Sequence, residues 1–190
     1  EGQRAQPQVV KGELPPPNGM LGELSRAAKG ARDLKNTTQA GRIVSEARRT
    51  WWKETKPIVQ QLRQQHPKRF KRELSRHFRN QNLAEDQVRI ILEEANIKTF
   101  PRPKGIPADA EVRICKKSGG MEYIKRGTTE EENIVVRVMP GNPKSPNSIQ
   151  QKPYVVQRRN KHAVTKEGQL VPHEDKIAHI PIEEFEFKGW

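Results

Sequence analysis

The sequence predicts an α+β fold in which N-terminal helices precede a small antiparallel sheet of four to six strands. The first observation behind this prediction is that apolar residues recur at helical spacing between residues 39 and 100. The second is that short β-branched runs, separated by turn residues, follow a proline-rich segment at 101–107. We therefore expect a flexible linker or tail at 1–38, a basic helical region at 39–100 and an antiparallel-sheet domain at 105–190.

The composition excludes several classes of protein. Only 32% of the 190 residues are hydrophobic, so we expect part of the chain to be tail or linker. The one cysteine, Cys115, excludes an internal disulfide framework and a cysteine-rich zinc site. No apolar run approaches the ~18 residues that a bilayer crossing needs, and no signal peptide is visible. Membrane proteins, disulfide-rich miniproteins and zinc-finger arrays are therefore excluded.

The formal charge of +13 is concentrated in the middle of the chain, where residues 42–104 hold 16 basic and 7 acidic side chains. A basic patch of this kind favours a polyanion, such as a nucleic acid, or an acidic protein as its partner. The alternative is an ordinary solvated helix face. The candidate ligand contacts on these helices are Lys68, Arg69, Arg72 and Arg76.

The helical region is predicted to contain several helices separated by prolines. A first helix begins near Gln39, and Pro57 is predicted to open a second one with Thr55 as its cap. Pro67 is predicted to interrupt the helical pattern again.

Two further helices follow Pro67. Phe70, Leu74 and Phe78 recur every four residues and predict one helix. Asn82 and Glu85 resemble a capping box that opens the last helix, with an apolar face of Val88, Ile91, Leu92 and Ala95.

The second half of the chain reads as strands. A hairpin is predicted from two runs joined by the turn Ser118-Gly119-Gly120, and alternation continues to the C-terminal residues. The predicted strands are 112–115, 121–124, 133–139, 153–157, 163–164, 170–171, 180–182 and 185–187. The loop between the third and fourth strands is about a dozen residues long, which favours a functional role for it.

Few residue patterns in the sequence indicate a familiar catalytic centre. No phosphate-binding glycine loop and no nucleophile elbow is present. Cys115 is expected to be a buried or half-buried thiol in a strand. His173 and His179 lack a second ligand group at a recognised metal spacing, so we predict no metal and no cofactor.

A metal-free site fits the residue types better. RNA cleavage needs no protein nucleophile, because the ribose 2′-OH attacks its own phosphate; the protein supplies a base, an acid and cations. Strand alternation predicts that Arg137, Tyr154 or Arg158, and His179 share one face of the sheet. The alternative is that His179 is a structural histidine and the arginines belong to an ordinary surface.

Three segments in the second half of the chain indicate a protein family more specifically than these residue patterns do. The segments 136–146, 151–155 and 179–185 resemble the C-terminal toxin module of bacterial polymorphic toxins, the class catalogued as type 17. Residues 116–123 resemble the hairpin that opens such modules. Proteins of this kind place the module at the end of large secreted carriers, such as Rhs-repeat and contact-dependent inhibition proteins. The similarity covers about 80 residues, from 105 to 187.

The resemblance implies a ribonuclease toxin with the fold class shared by barnase, endonuclease-U, colicin-type tRNases and bacterial ribosome-dependent RNases. The residues that match the motifs are Arg137, Asn142, Tyr154 and His179. One departure is the turn at 164–168, where an acidic residue is expected near Thr165.

The expected function is therefore a metal-independent endoribonuclease that cleaves RNA, such as tRNA or ribosome-associated RNA, in the cytoplasm of a target cell. The expected partners are the RNA substrate, a cognate acidic immunity protein and a larger secreted carrier protein. The candidate catalytic residues are His179, Arg137, Tyr154 and Arg158, and further candidate substrate contacts are Asn142, Lys152, Arg159 and Lys161.

Two alternatives for the activity remain open at this point, besides the possibility that the helices at 39–98 form a separate translocation or adaptor domain. One is a toxin with another target, either a DNase or an NAD-dependent ADP-ribosyltransferase. The other is a basic nucleic-acid-binding module without enzymatic activity, whose affinity would fall steeply with rising salt.

Overall fold

The structure of the protein is a computed structural model that describes residues 45–116 and 119–190. The predicted linker at 1–38, the start of the first predicted helix and Ser118 of the predicted hairpin turn lie outside the described residues. Three helices come first in the described chain and an antiparallel sheet follows them, which confirms the predicted α+β class. Within these residues, no helix combines the length and hydrophobicity that a bilayer crossing requires.

The three helices are α1 (Glu46–Gln65), α2 (Phe70–Phe78) and α3 (Glu85–Glu94). Ser45 caps α1, because its side-chain oxygen accepts a hydrogen bond from the Arg48 N–H at 3.1 Å. The helix ends before His66, the residue that precedes Pro67, as expected from the steric restriction that proline places on its predecessor. The predicted interruption at Pro67 is thus confirmed.

The predicted helix start at Pro57 is wrong, because α1 continues through this residue. The missing proline N–H removes the partner of the Lys53 carbonyl. Lys53 and Pro57 are both exposed, so water can replace that hydrogen bond. Thr55 is buried together with Val59 on the packed side of α1 and does not cap a helix.

The predicted capping box of the last helix is also wrong in its position. Asn82 lies before the helix with a φ of +52°, and Ala84 occupies the N-cap position of α3. The Ala84 N–H donates to Gln87 Oε1 at 2.9 Å, so Gln87 closes the first turn. The predicted apolar face of this helix is confirmed, because Val88 and Ile91 are almost completely buried.

The described residues divide into two compact units that do not follow the order of the chain. Residues 45–70 and 83–96 form the first unit, in which α1 packs with α3. Arg48 binds both carboxylate oxygens of Asp86, at 2.8 and 3.1 Å. Arg63 donates to the Glu94 carbonyl at 2.6 Å, so the two helices are linked near both ends of α3.

The second unit contains α2 and the sheet, at residues 71–82, 97–116 and 119–190. Its strand order is β1-β2-β3-β4-β5-β6 with every pair antiparallel, and β7 pairs with β4 beside β5. The strands are β1 (Glu111–Ile114), β2 (Met121–Ile124), β3 (Val135–Met139), β4 (Tyr154–Arg159), β5 (His162–Val164), β6 (Leu170–Pro172) and β7 (Ile180–Pro181).

The predicted strand at 185–187 is wrong. These residues follow a short 3₁₀ helix, Ile182–Glu184, and pair with no strand in the described sheet. The buried side chain of Gln157 holds the end of the chain instead, because its Oε1 accepts the Lys188 N–H at 3.1 Å and its amide donates to the Gly189 carbonyl.

The register gives the sheet two different faces. On one face lie apolar residues such as Ile114, Val138 and Val155, which occupy aligned positions on their strands and are buried. The other face, which we call the polar face, is defined by Arg113, Glu122, Arg137, Tyr154 and Arg158. Because opposite residues of antiparallel strands point to the same side, these five side chains project together.

The loop between β3 and β4 provides a test of the packing. Gly141 in this loop and Gly127 in the segment between β2 and β3 both have a φ of +84°. A Cβ on Gly141 would lie 2.5 Å from the Lys152 carbonyl carbon, whereas a Cβ on Gly127 would meet nothing within 4 Å. Gly127→Ala should therefore cost only the backbone strain of a left-handed residue, about 1–2 kcal/mol. Gly141→Ala should cost about 1–3 kcal/mol more in the free energy of unfolding. Urea denaturation of both variants measures the difference, and equal losses would contradict the close approach of the loop.

Candidate functional site

The register brings three of the predicted catalytic residues together on the polar face. Val135 lies opposite Arg158, Arg137 opposite Val156 and Met139 opposite Tyr154. Arg137 therefore lies across from the strand position between Tyr154 and Arg158, within reach of both as a diagonal neighbour.

A small apolar cluster brings the fourth residue, His179, to the same place. Val156 and Ala163 of the sheet are buried against Ala178, with Tyr154 packed beside them. Ala178 ends a short 3₁₀ helix, Lys176–Ala178, which is capped by Asp175. His179 follows immediately, and its ring centroid lies 5.3 Å from that of Tyr154.

The position of His179 favours the neutral form of its imidazole. Burial lowers the pKa of His179 below its ordinary value, and the positive charge of Arg158 acts in the same direction. The backbone of Lys176 and Asp175 opposes this shift without cancelling it. Its Nδ1 is buried and has no hydrogen-bond partner of acceptable geometry among the described residues, which leaves Nε2 as the nitrogen that can meet a ligand.

Arg158 is a half-buried cation without a neutralising partner. In the part of the chain that the structure describes, its guanidinium makes no hydrogen bond or ion pair, and its Nε is buried and unsatisfied. Burial and the like charge of Arg137 lower the pKa of Arg158, while Glu122 and Glu174 act in the opposite direction without reaching ion-pair distance. Two guanidinium groups that repel each other in this way form a favourable place for an anion.

Tyr154 keeps its proton under ordinary conditions. Burial raises the pKa of the Tyr154 phenol, although a hydrogen bond to Gln150 and the charge of Arg137 act in the opposite direction. Gln150 belongs to the loop between β3 and β4, so this loop contacts the site directly.

Glu122 and Arg79 are central to the site, and the sequence reasoning missed both. The Glu122 carboxylate is 1% exposed, with Oε1 at 3.0 Å from Arg79 Nη1 and Oε2 at 2.7 Å from Arg137 Nε. Arg79 also donates to the Ile114 carbonyl at 2.7 Å, which fixes it to the end of β1. Burial lowers the pKa of Arg79, but the negative charges of Glu122 and Glu130 outweigh this effect, so the pKa of Arg79 is raised.

This arrangement makes Glu122 a positioning residue for Arg137. One Arg137 nitrogen is held by the carboxylate, while the side chain remains partly exposed and keeps its other donors for a ligand. A signal for Glu122 does exist in the sequence, because a single charge in an otherwise apolar run such as Met121–Ile124 requires a partner when the strand is buried.

Asn142 organises the loop between β3 and β4. Its Oδ1 accepts the Lys144 N–H at 3.0 Å, and its own N–H donates to the Gln150 carbonyl at 2.8 Å. The predicted substrate contact at Asn142 is thus an exposed residue that shapes the loop carrying Gln150. Lys152 is exposed at the end of the same loop.

The structure does not bring Arg159 and Lys161 to the polar face. Arg159 follows Arg158 and therefore projects from the opposite face, where it donates to the carbonyls of Lys188 and Gly189 at 2.9 and 3.0 Å. Lys161 is exposed in the turn between β4 and β5.

The basic helix residues belong to different units. Lys68 and Arg69 are exposed in the first unit, and Arg72 and Arg76 are exposed on α2 in the second. Arg76 lies 3.5 Å from Glu73 in an i,i+3 pair.

Thr165 and Cys115 are both buried. Thr165, where the resemblance leads us to expect an acidic residue, is buried, and its hydroxyl accepts the Gln169 N–H at 3.0 Å to close the turn before β6. Cys115 is buried as predicted, and burial raises the pKa of its thiol well above the ordinary value.

Among residues 45–116 and 119–190, no group of three or more His, Cys, Asp or Glu side chains is placed to hold a metal ion.

Comparison with models of protein families, with curated proteins and with solved structures found no match to this chain.

The buried carboxylate can be tested against an exposed one. Glu122→Gln removes the buried charge that Arg137 and Arg79 share and leaves Arg79 with Glu130 alone, and breaking a buried ion pair of this kind costs up to about 3–5 kcal/mol. Glu184→Gln removes a similarly short ion pair, Lys166 to Glu184 at 2.8 Å, that is exposed at both ends. We expect a large fall in the urea midpoint for the first variant and almost none for the second. Equal midpoints would show that Glu122 has no special role in stability.

Proposed function

We propose that this chain is a ribonuclease that cleaves RNA without a metal ion. The observation that supports this most directly is the half-buried Arg158, which lies beside Arg137 without a neutralising partner among the described residues. A phosphodiester between the two guanidinium groups would relieve their repulsion and bind through several charge-assisted hydrogen bonds. His179 and Tyr154 lie in contact beside this pair, so a base and an acid are both within the same small area.

The chemistry follows from the protonation states. His179 Nε2 accepts the proton of the ribose 2′-OH while the 2′ oxygen forms a bond to the adjacent phosphorus. The bond from phosphorus to the 5′ oxygen breaks, and the Tyr154 phenol donates its proton to that leaving oxygen. Arg137 and Arg158 stabilise the negative charge that builds on the phosphate oxygens. The products are a 2′,3′-cyclic phosphate and a 5′-hydroxyl, and water returns the protons to their starting positions.

The biological setting proposed for this activity rests on the sequence resemblance. The segments 136–146 and 179–185, which resemble the polymorphic toxin module, contain Arg137 and His179. The order of helices followed by an antiparallel sheet agrees with the fold class that the resemblance implies. The protein would accordingly be released as part of a larger secreted carrier, act in the cytoplasm of a competing cell and be neutralised by an acidic immunity protein.

The activity can be tested on purified protein. Incubation with total RNA in the presence of EDTA should produce discrete fragments that end in 2′,3′-cyclic phosphate. His179→Ala should lower the cleavage rate by about 100-fold or more, because it removes the general base. Arg158→Gln should lower it by about 100-fold through the loss of charge stabilisation. His162→Ala is the matched control, because His162 is exposed on β5 and lies opposite Arg159, away from the polar face.

Three other outcomes would contradict the proposal. A wild-type rate equal to that of His179→Ala and Arg158→Gln would remove these residues from the site. Intact RNA together with arrested growth of cells that express the chain would indicate a DNase or an NAD-dependent modification. Intact RNA with normal growth and salt-sensitive binding would indicate a nucleic-acid-binding module.

The acidic side of the pH profile provides an independent test. Because the pKa of His179 is lowered, kcat/KM should rise with pH and reach its half-maximum below pH 6.5, the ordinary histidine value. Arg158→Gln removes a positive charge near the imidazole and should move this midpoint upward. An NMR titration of the His179 ring measures the same shift without any substrate. A midpoint that stays in place in Arg158→Gln would contradict the electrostatic coupling of the two residues.

A further inference from the structure

A second cluster of cations lies at the β1 side of the sheet and converges on one carboxylate. Glu130, in the segment between β2 and β3, lies 2.9 Å from Arg79 Nη2, 3.6 Å from Lys116 Nζ and 3.9 Å from Arg113 Nη1. The Arg79 guanidinium binds Glu130 Oε2 through both Nε and Nη2. Three positive side chains therefore surround an acidic side chain that is itself 45% exposed.

These residues line a cavity of about 250 Å³ whose wall also includes Arg137. The Nε of Arg113 is buried there without a hydrogen-bond partner among the described residues. Two further acids, Glu122 and Glu131, line the cavity, and the buried Glu122 is already paired with Arg79 and Arg137. The cavity thus has room for a ligand and an unsatisfied donor in its wall, and among the described residues Glu130 is the acid within 4.0 Å of all three cations.

We propose that Arg79, Arg113 and Lys116 form a phosphate-binding site for an RNA backbone phosphate that is not the one cleaved, and that Glu130 occupies this site in the free protein. This inference rests on the proposed function for the identity of its ligand. A phosphodiester carries the same single charge as a carboxylate and offers two oxygens to the same fork of donors, so it can replace Glu130. The cavity lies on the polar face, because Arg113, Glu122 and Arg137 all line it. An RNA strand that places one phosphate between Arg137 and Arg158 therefore has its neighbouring phosphates beside the cavity.

An RNA strand is favoured over an acidic protein because of this continuity. A single acidic side chain of a protein partner would fill the cavity equally well, but it would have no reason to extend toward Arg158. A polymer with a phosphate at every nucleotide fits both positions at once.

The test measures binding of 2′-O-methyl oligonucleotides, which lack the attacking hydroxyl and cannot be cleaved. A dinucleotide offers one phosphate and a hexanucleotide offers five. The double variant Arg113→Gln/Lys116→Gln should bind the hexanucleotide about tenfold more weakly and leave dinucleotide binding unchanged. The slope of log K against log salt for the hexanucleotide should fall by about 0.7 for each phosphate contact that is lost.

Charge-matched controls separate this site from general electrostatics. Lys125→Gln/Arg126→Gln removes two positive charges from exposed positions that do not line the cavity, so it should leave both the affinity and the salt slope nearly unchanged. Glu130→Gln should raise hexanucleotide affinity several-fold because the competing carboxylate is gone. Glu186→Gln removes the same charge from a side chain that is 82% exposed and should not raise it.

Two results would overturn the inference. Equal losses in the two double variants would mean that only net charge matters, and an unchanged affinity in Glu130→Gln would mean that its carboxylate does not occupy the site. Lys116→Gln alone, at a side chain that is 69% exposed, repeats the measurement if the double variant fails to fold. This experiment measures binding of a strand that cannot be cleaved, so it tests the phosphate site separately from RNA cleavage. If the wild-type protein cleaves RNA but the double variant binds the hexanucleotide normally, only the phosphate site is refuted.

Discussion

The buried carboxylate of Glu122 is the interaction on which the rest of the second unit depends. It joins Arg79, which follows α2, to Arg137 in the middle of the sheet, and it is the buried anion that both arginines share. A guanidinium that is nine-tenths buried requires a nearby anion, and Glu122, at 3.0 Å from Arg79 Nη1, links the end of α2 to the sheet and to Arg137. The orientation of Arg137 toward a ligand is a consequence of this requirement.

Local patterns in the sequence predict much of this structure. Helical periodicity predicts the packed face of α3, and the alternation of strands places Arg137, Tyr154 and Arg158 on one side, because the period of two is strict wherever one face is buried. The proximity of His179 also follows from a local pattern, since the segment 180–182 was predicted as a strand and its first two residues pair with β4.

The sequence does not predict the groups that connect distant parts of the chain. Arg79 and Glu122 are separated by more than forty residues, and nothing in either neighbourhood indicates that they meet. Helix boundaries fail for a related reason. A proline is usually found in the first turn of a helix, but Pro57 lies on the exposed side of α1, where water can replace the lost hydrogen bond. The packing of the buried Val59 outweighs the local preference. Likewise, Gln157 draws the chain away from the strand geometry that residues 185–187 favour.

The pairing of β7 with β4 also determines the order in which the polar face is completed. β4 pairs with β3 on one side and with both β5 and β7 on the other, and β7 follows directly after His179. A chain that is synthesised from its N-terminus has already produced Arg137 and Arg158 long before the histidine that lies beside them. During synthesis, therefore, the strands that carry the two arginines are complete before His179 is made, and the polar face is complete only when β7 docks on β4.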